Sequence, residues 1–279
     1  MGRCIYLRKG EVHTPPVIAD KILNNNSWAT IRKVSDKGQG ANYWSVGDRK
    51  EIMLDGTVGH LTLSNYTTYV FIIGFNHNAE LEGNNRIHFQ LAKTALNDGA
   101  DICFYDSKYN SSVPSTGYFS MTSVTENTGG WASSQMRTNI CGTDITSYSG
   151  TAIAIIPASL RSALKSVVKY TDNIGNKSTG ASAVTATTDY FFLLSEYEVF
   201  GTTTYVNVNE ASKQAQYAYY SAGNSKIKHK YDNTATTIIW KLRSPVRTTS
   251  TTFATVTTAG AVNDSYGTNS QGFAPAFCV

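Results

Sequence analysis

The residues that could carry chemistry in this chain are few. Glu196 and Glu198 stand two apart in the run TTDYFFLLSEYEVFG. On a strand that spacing puts both carboxylates on one face, as a general acid/base pair or a glycosidase needs. No aromatic sugar platform accompanies them, so they are read as exposed strand carboxylates. His60, His77 and His88 are candidate metal ligands, yet no two stand at i, i+2 or i, i+4 and no HExxH occurs. Glu80 and Glu82 follow His77 inside the loop-like NHNAELEGNN. No metal is therefore expected, calcium on Asp, Glu and Asn oxygens being the one ion the composition leaves open. His13, beside Pro15 and Pro16, has no acidic or cysteine neighbour and is given no role. The four cysteines, Cys4, Cys103, Cys141 and Cys278, form no CxxC pair, and the last three read as small core residues. Nucleophile elbows, P-loops and dinucleotide fingerprints are absent. The expectation is a protein that is not an enzyme and needs no cofactor.

The elements that must position side chains read as follows. SWATIRKV has a serine N-cap candidate with Trp28, Ile31 and Val34 at helical spacing. NYWSVGDRKEIML and VGHLTLSNYTTYVFIIGF read as strands, the apolar run YVFIIGF being buried on both faces. WASSQMRTNI, PASLRSALKSVVKY (with Pro157 in the first turn) and EASKQAQYAYYSAG (ending at Gly223) read as helices. TTDYFFLLSEYEVFG reads as a buried strand. IIWKLRSP opens a closing sheet, stopped by Pro245, with FATV and GFAPAFCV as partners. Residues 1–26 form an N-terminal extension, either an adaptor or an ordered edge strand, and 27–279 a single domain.

An apolar share of 41% supports a core, while 16% charged residues and abundant Ser, Thr, Asn, Gly and Tyr suit a β-rich adhesive protein. The net charge of +4 is scattered apart from Lys226, Lys228, His229 and Lys230, which argues against nucleic acid. No run reaches membrane-span length and no apolar signal-peptide region is visible. Synthesis in the cytoplasm without a signal peptide is expected, and a virion component released by lysis would look the same. Between IWKLRSP and GFAPAFCV lies RTTSTTFATVTTAGAVNDSYGTNSQ, without Lys, Glu, Met or Trp. Such a segment buries little apolar surface and needs a rigid mount.

SWxxI, NYWSVGD, FIIGFNHN, GGWxSSxMR, TDYxFLLxExEVFG, AQYxYY, WxLRSP and GFAPxFC stand in this order at Ser27-Trp28, Asn42–Asp48, Phe71–Asn78, Gly129–Arg137, Thr188–Gly201, Ala215–Tyr220, Trp240–Pro245 and Gly272–Cys278. In these the chain resembles a family of gut-bacterial and prophage proteins. The C-terminal half also resembles the C-type-lectin-like fold of the formylglycine-generating-enzyme type, used by variable proteins of diversity-generating retroelements. The resemblance implies an α+β fold, C-type-lectin-like, with short helices, twisted antiparallel strands and much irregular loop. It further implies a phage or prophage tail-associated receptor binder, with a protein or glycan receptor on a bacterial surface as partner. Adenine randomisation in such systems scatters Asn codons to small, polar and Tyr residues but never to Lys, Glu, Gln, Met or Trp, and residues 246–270 comply. The calcium-lectin motifs are missing, and the oxidase's second C-terminal cysteine is missing too. A cell-wall hydrolase or oxidase relative and a purely structural virion part remain the alternatives.

Contacts are expected from Val246, Arg247 and the loop Thr248, Thr249, Ser250, Thr251 and Thr252. Others are expected from Thr255, Thr257 and Thr258, and from Asn263, Asp264, Ser265, Tyr266, Thr268 and Ser270. Ser, Thr and Asn supply adaptable hydrogen bonds, with Tyr266 and Arg247 as anchors.

Overall fold

The structure, a computed structural model, describes residues 17–110 and 119–279. Cys4, His13 and most of the expected N-terminal extension lie outside them. Val17–Asn26 pack on the domain: Leu23 is buried, Trp44 Nε1 donates to the Asp20 carbonyl at 3.0 Å, and Lys50 Nζ donates to the Asn26 carbonyl at 2.6 Å.

The first helix, α1 (Trp28–Asp36), starts where its cap was expected. Ser27 is extended and its Oγ accepts the Thr30 N–H at 3.1 Å, while Trp28, Ile31 and Val34 turn inward. Strands β1 (Arg49–Val58) and β2 (Leu61–Phe75) form a long antiparallel hairpin, with a bulge between Leu54 and Gly56. Val70–Gly74 are all buried, as the apolar run predicts. Next come β3 (Ile87–Lys93) and the short β4 (Ile102–Cys103), then the paired β5 (Val167–Asp172) and β6 (Val184–Asp189), and β7 (Phe191–Phe192). Strands β8 (Lys228–Lys230), β9 (Asn233–Ile238), β10 (Trp240–Pro245), β11 (Thr252–Val256), β12 (Val262–Tyr266) and β13 (Ala276–Cys278) complete the set.

The main sheet runs β1-β2-β3-β13-β7, with separate sheets β10-β11-β12 and β4-β8-β9. Pairing is antiparallel throughout these ladders except between β4 and β8. Short helices and mostly antiparallel sheets make this an α+β fold. Phe277 stacks on Phe89 and Phe191, with Trp28 edge-on to both Phe89 and Phe277. This aromatic group locks α1 to the middle of the main sheet. Among the described residues no helix is long and apolar enough to cross a membrane.

Several expectations are corrected. TTDYFFLLSEYEVFG is not one strand: it breaks after Phe192, and α2 (Glu196–Phe200) begins at a capping box made by Ser195 and Glu198. The helix after Pro157 lasts one turn, Ala158–Arg161, and Val167–Val168 instead open β5. Tertiary pairing with β6 overrides the apolar spacing there. WASSQMRTNI winds wide only at Met136–Cys141, and EASKQAQYAYYSAG is two short turns, Val208–Ser212 and Ala218–Ser221. GFAPAFCV joins the main sheet through β13 and pairs with β10 at a Trp240–Gly272 bridge.

Candidate ligand-binding surface

The 246–270 segment is built on β10, β11 and β12. Phe253, Ala254 and Val256 are fully buried beneath it, so β11 is anchored in the core. The β10–β11 ladder pairs Trp240 with Val256 and Lys241 with Thr255, then slips before Pro245 meets Phe253. Pro245 has no N–H to give the ladder; Val246 still donates to the Thr252 carbonyl at 3.0 Å, and residues 247–251 then form the loop.

Asn127, fully buried, holds that loop. Its Nδ2 donates to the carbonyls of Thr249 (3.1 Å) and Thr252 (2.9 Å), and its own N–H donates to the Ser250 carbonyl at 2.7 Å. Its Oδ1 accepts from Asn176 N–H at 2.7 Å, tying the loop to the β5–β6 connection. At the far side Gly267 N–H donates to the Thr251 carbonyl (2.8 Å), and the Gly267 carbonyl accepts from Met121 N–H (2.7 Å). A Cβ at Gly267 would lie 2.4 Å from Thr122 Oγ1 and 3.2 Å from the Phe253 ring, so the close approach requires glycine. Lys241 Nζ donates to the Tyr266 carbonyl at 2.8 Å. Burial pushes its pKa down to about 7, with the negative charge of Asp264 opposing the shift.

On this pinned backbone Thr249, Thr251, Thr252, Asp264, Ser265, Tyr266 and Asn269 line an open concavity of about 400 Å³. The sequence-predicted residues divide. Thr248 and Tyr266 are exposed, and Arg247, Thr249, Ser250, Thr251, Asp264 and Ser265 are half-buried around or beside the concavity. Arg247 turns its Nη2 onto the Thr204 carbonyl (3.2 Å). Thr257, Thr258 and Asn263 are reachable from solvent. Thr257 and Thr258, however, lie at the opposite end of the five-residue β11, roughly 15 Å away at ~3.3 Å per residue. Val246, Thr252, Thr255, Thr268 and Ser270 are buried, and the expectation that they make direct contacts is corrected. β11 is covered along its whole length, Val246 is held in a bridge to Val206, and the chain returns into the core after Tyr266, which takes these side chains out of reach and leaves Thr252 a wall residue. Sequence reasoning missed Asn127, Lys241, Gly267 and Asn269. Only Gly267 and Asn269 lay inside the segment, and nothing in NTGGW marks Asn127 as its clamp.

The other candidate residues gather in the interior. Glu196 and Glu198 are fully buried on α2, not exposed on a strand. Glu196 accepts backbone N–H groups of Thr204 and Tyr205. Glu198 accepts from Arg243 Nη1 and Nη2 and from Lys169 Nζ at 2.8 Å. Burial alone would raise the Glu198 carboxyl, but Arg243 and Lys169 reverse this and hold it well below the usual carboxylate range. The two carboxylates serve different partners and do not form an acid/base pair.

His77, Glu82 and His88 do converge, with one ligand-type atom each within 4.8 Å of the others. The environment does not suit a cation. Glu82 Oε2 already takes Lys169 Nζ at 2.7 Å. His77 sets both ring nitrogens against acceptor oxygens, Glu82 Oε2 (3.1 Å) and the Ala215 carbonyl (2.9 Å). Lys169 and Arg243 balance Glu82 and Glu198 without a metal. His88 is held neutral chiefly by burial, and burial pushes the neighbouring Cys278 thiol up to about 12, so this His–Cys contact supplies no thiolate.

A family described as a domain of unknown function, DUF6273, matches residues 116–279. No curated protein and no solved structure matches the chain.

Proposed function

The chain belongs to the DUF6273 family, and on that premise we propose that it is a ligand-binding protein whose closing hairpin is a receptor-recognition surface. The observation that carries this reading is the division of labour around the concavity. The backbone of residues 249–252 and 266–267 is held by buried Asn127, Lys241 and Gly267. The side chains of Thr248, Thr251 and Tyr266 meanwhile face outward. A fixed backbone lowers the ordering cost of binding, and outward side chains can change without disturbing the core. That arrangement suits a C-type-lectin-like scaffold carrying a diversified surface on a phage or prophage tail, with a bacterial-surface receptor as partner. The burial of Glu196 and Glu198 weighs against a hydrolase, and the protonated, singly placed Cys278 against an oxidase relative.

The test is flow cytometry of labelled protein on a panel of gut-bacterial cells. The wild type is expected to mark a subset of strains, and Thr251→Arg and Tyr266→Ala to lose them while folding normally. Equal binding by the variants, or no binding to any strain, would leave a purely structural virion role as the better reading. Sequencing of the surrounding DNA tests the diversification component. It stands if an adenine-rich second copy of the 246–270 segment and a reverse transcriptase gene lie nearby, and it falls without them.

A further inference from the structure

The chemistry of the concavity narrows what it can hold. Among the described residues of the lining, the apolar element is one ring, Tyr266, which is 41% exposed at the rim. The remaining lining is hydroxyl, amide and carboxylate, which is poor for an apolar peptide anchor, since such pockets are mostly hydrophobic. Asp264 is the one charged residue among the described residues of the lining. The nearest buried cation, Lys241, directs its Nζ at the Tyr266 carbonyl. An anionic ligand would therefore meet a carboxylate at the surface while the Lys241 ammonium stays buried beneath it, a repulsive arrangement.

The polar groups are also partly uncommitted. Among the described residues, the Thr251 hydroxyl and the Asp264 carboxylate make no hydrogen bond within the protein. Ser265 Oγ accepts from Asn269 Nδ2 at 2.8 Å and keeps its own proton to donate. Asn269 is 2% exposed at the floor, and its Oδ1 has no partner. That oxygen is closed to solvent, so the uncommitted groups that a ligand meets are those of Thr251, Asp264 and Ser265. The site thus offers a carboxylate that can take two hydroxyl protons, hydroxyls that donate and accept, and one aromatic face.

We propose that the concavity binds a neutral, polyhydroxylated sugar residue, with its ring stacked on Tyr266 and vicinal hydroxyls on Asp264. This rests on the reading of the hairpin as a recognition surface and names its ligand class. At about 400 Å³ the space lies at the small end of ligand cavities, which fits recognition of a terminal unit rather than a long chain.

The experiment pairs two probes on the full chain. Saturation-transfer NMR with methyl glycosides of neutral hexoses and N-acetylhexosamines, beside glucuronic acid, reads sugar binding. Selection from a displayed random-peptide library reads protein binding by the same surface. Transfer is expected to at least one neutral glycoside and not to glucuronic acid. Asp264→Asn and Tyr266→Ala should each weaken it ~10-fold or more, by loss of a charged acceptor or a stacking face, with thermal unfolding unchanged. Peptide selection that depends on Tyr266 without sugar transfer would overturn the sugar assignment and leave the recognition surface standing. If neither probe binds, or if the two variants bind like the wild type, both readings fall.

Discussion

Asn127 shows how one interior side chain can govern a surface that it never touches. It spans three carbonyls of the 249–252 loop and one N–H across the β5–β6 connection. Asn127→Ala would remove the side-chain partner of the Thr249 carbonyl and of the Asn176 N–H and leave the Thr252 carbonyl only the Val246 N–H, and we expect a loss of roughly 1–3 kcal/mol in urea unfolding. Thr248→Ala, on an exposed side chain, should stay within about 0.5 kcal/mol. A stable Asn127→Ala protein would show that the loop is held by other means. Glu198 is the interior counterpart, a carboxylate between two buried cations. Glu198→Gln should cost roughly 3–5 kcal/mol at neutral pH, because Arg243 and Lys169 are left undercompensated. The sign of its pH dependence follows from its depressed pKa. The stabilisation is complete above the ordinary value of 4.5 and is lost as pH falls toward the folded value. Acid unfolding of the variant should therefore be less steep below pH 4.5 than that of the wild type.

At the level of elements, the β10–β12 sheet carries a lysine buried under the β11–β12 hairpin. Lys241 has a folded pKa of about 7 against an ordinary 10.5, so the unfolded chain holds more protons between these values. Stability contributed by this group rises as pH increases from about 7 to about 10.5 and is lowest below 7, by at most ~5 kcal/mol. Lys241→Met should flatten that rise relative to the wild type, and thermal melts at pH 6, 8 and 10 would show it. An unchanged slope would mean that the ammonium is better solvated than its burial implies. Gly267→Ala tests the other end of the hairpin. Its Cβ would fall 2.4 Å from Thr122 Oγ1, and we expect a cost of ~1–3 kcal/mol together with loss of ligand binding, since the Thr251 and Tyr266 backbones would have to move.

For the whole molecule, the main sheet is closed by its last strand. β13 sits between β3 and β7, and Phe277 stacks against Phe89 and Phe191. Phe277→Ala should cost roughly 3–5 kcal/mol, comparable to Trp240→Ala under the hairpin, measured by chemical unfolding. The motifs that carry the family resemblance gain a physical meaning at this scale. Trp131 Nε1 (3.0 Å) and Arg137 Nε (2.6 Å) of GGWASSQMR both bond Asp189 of TDY. Arg243 of WKLRSP clasps Glu198 of EYEVFG, and His77 of FNHN stacks on Tyr217 of AQYAYY at 3.7 Å. These motifs are the buried polar frame of the domain, and residues 247–251 and 257–266 are the part of the variable-looking segment that the frame leaves at the surface. From its residues alone the chain determined the serine-capped α1, the strand character of β1 and β2 with the buried apolar run, the stop at Pro245 and the polar character of 246–270, because each rests on local spacing or backbone chemistry. Only tertiary structure decided that Glu196 and Glu198 are interior, that five of the expected contact residues are buried, and that Asn127 holds the loop. Those outcomes depend on which distant segment arrives to pair a charge, cover a strand face or accept a hydrogen bond, and no local pattern encodes that arrival.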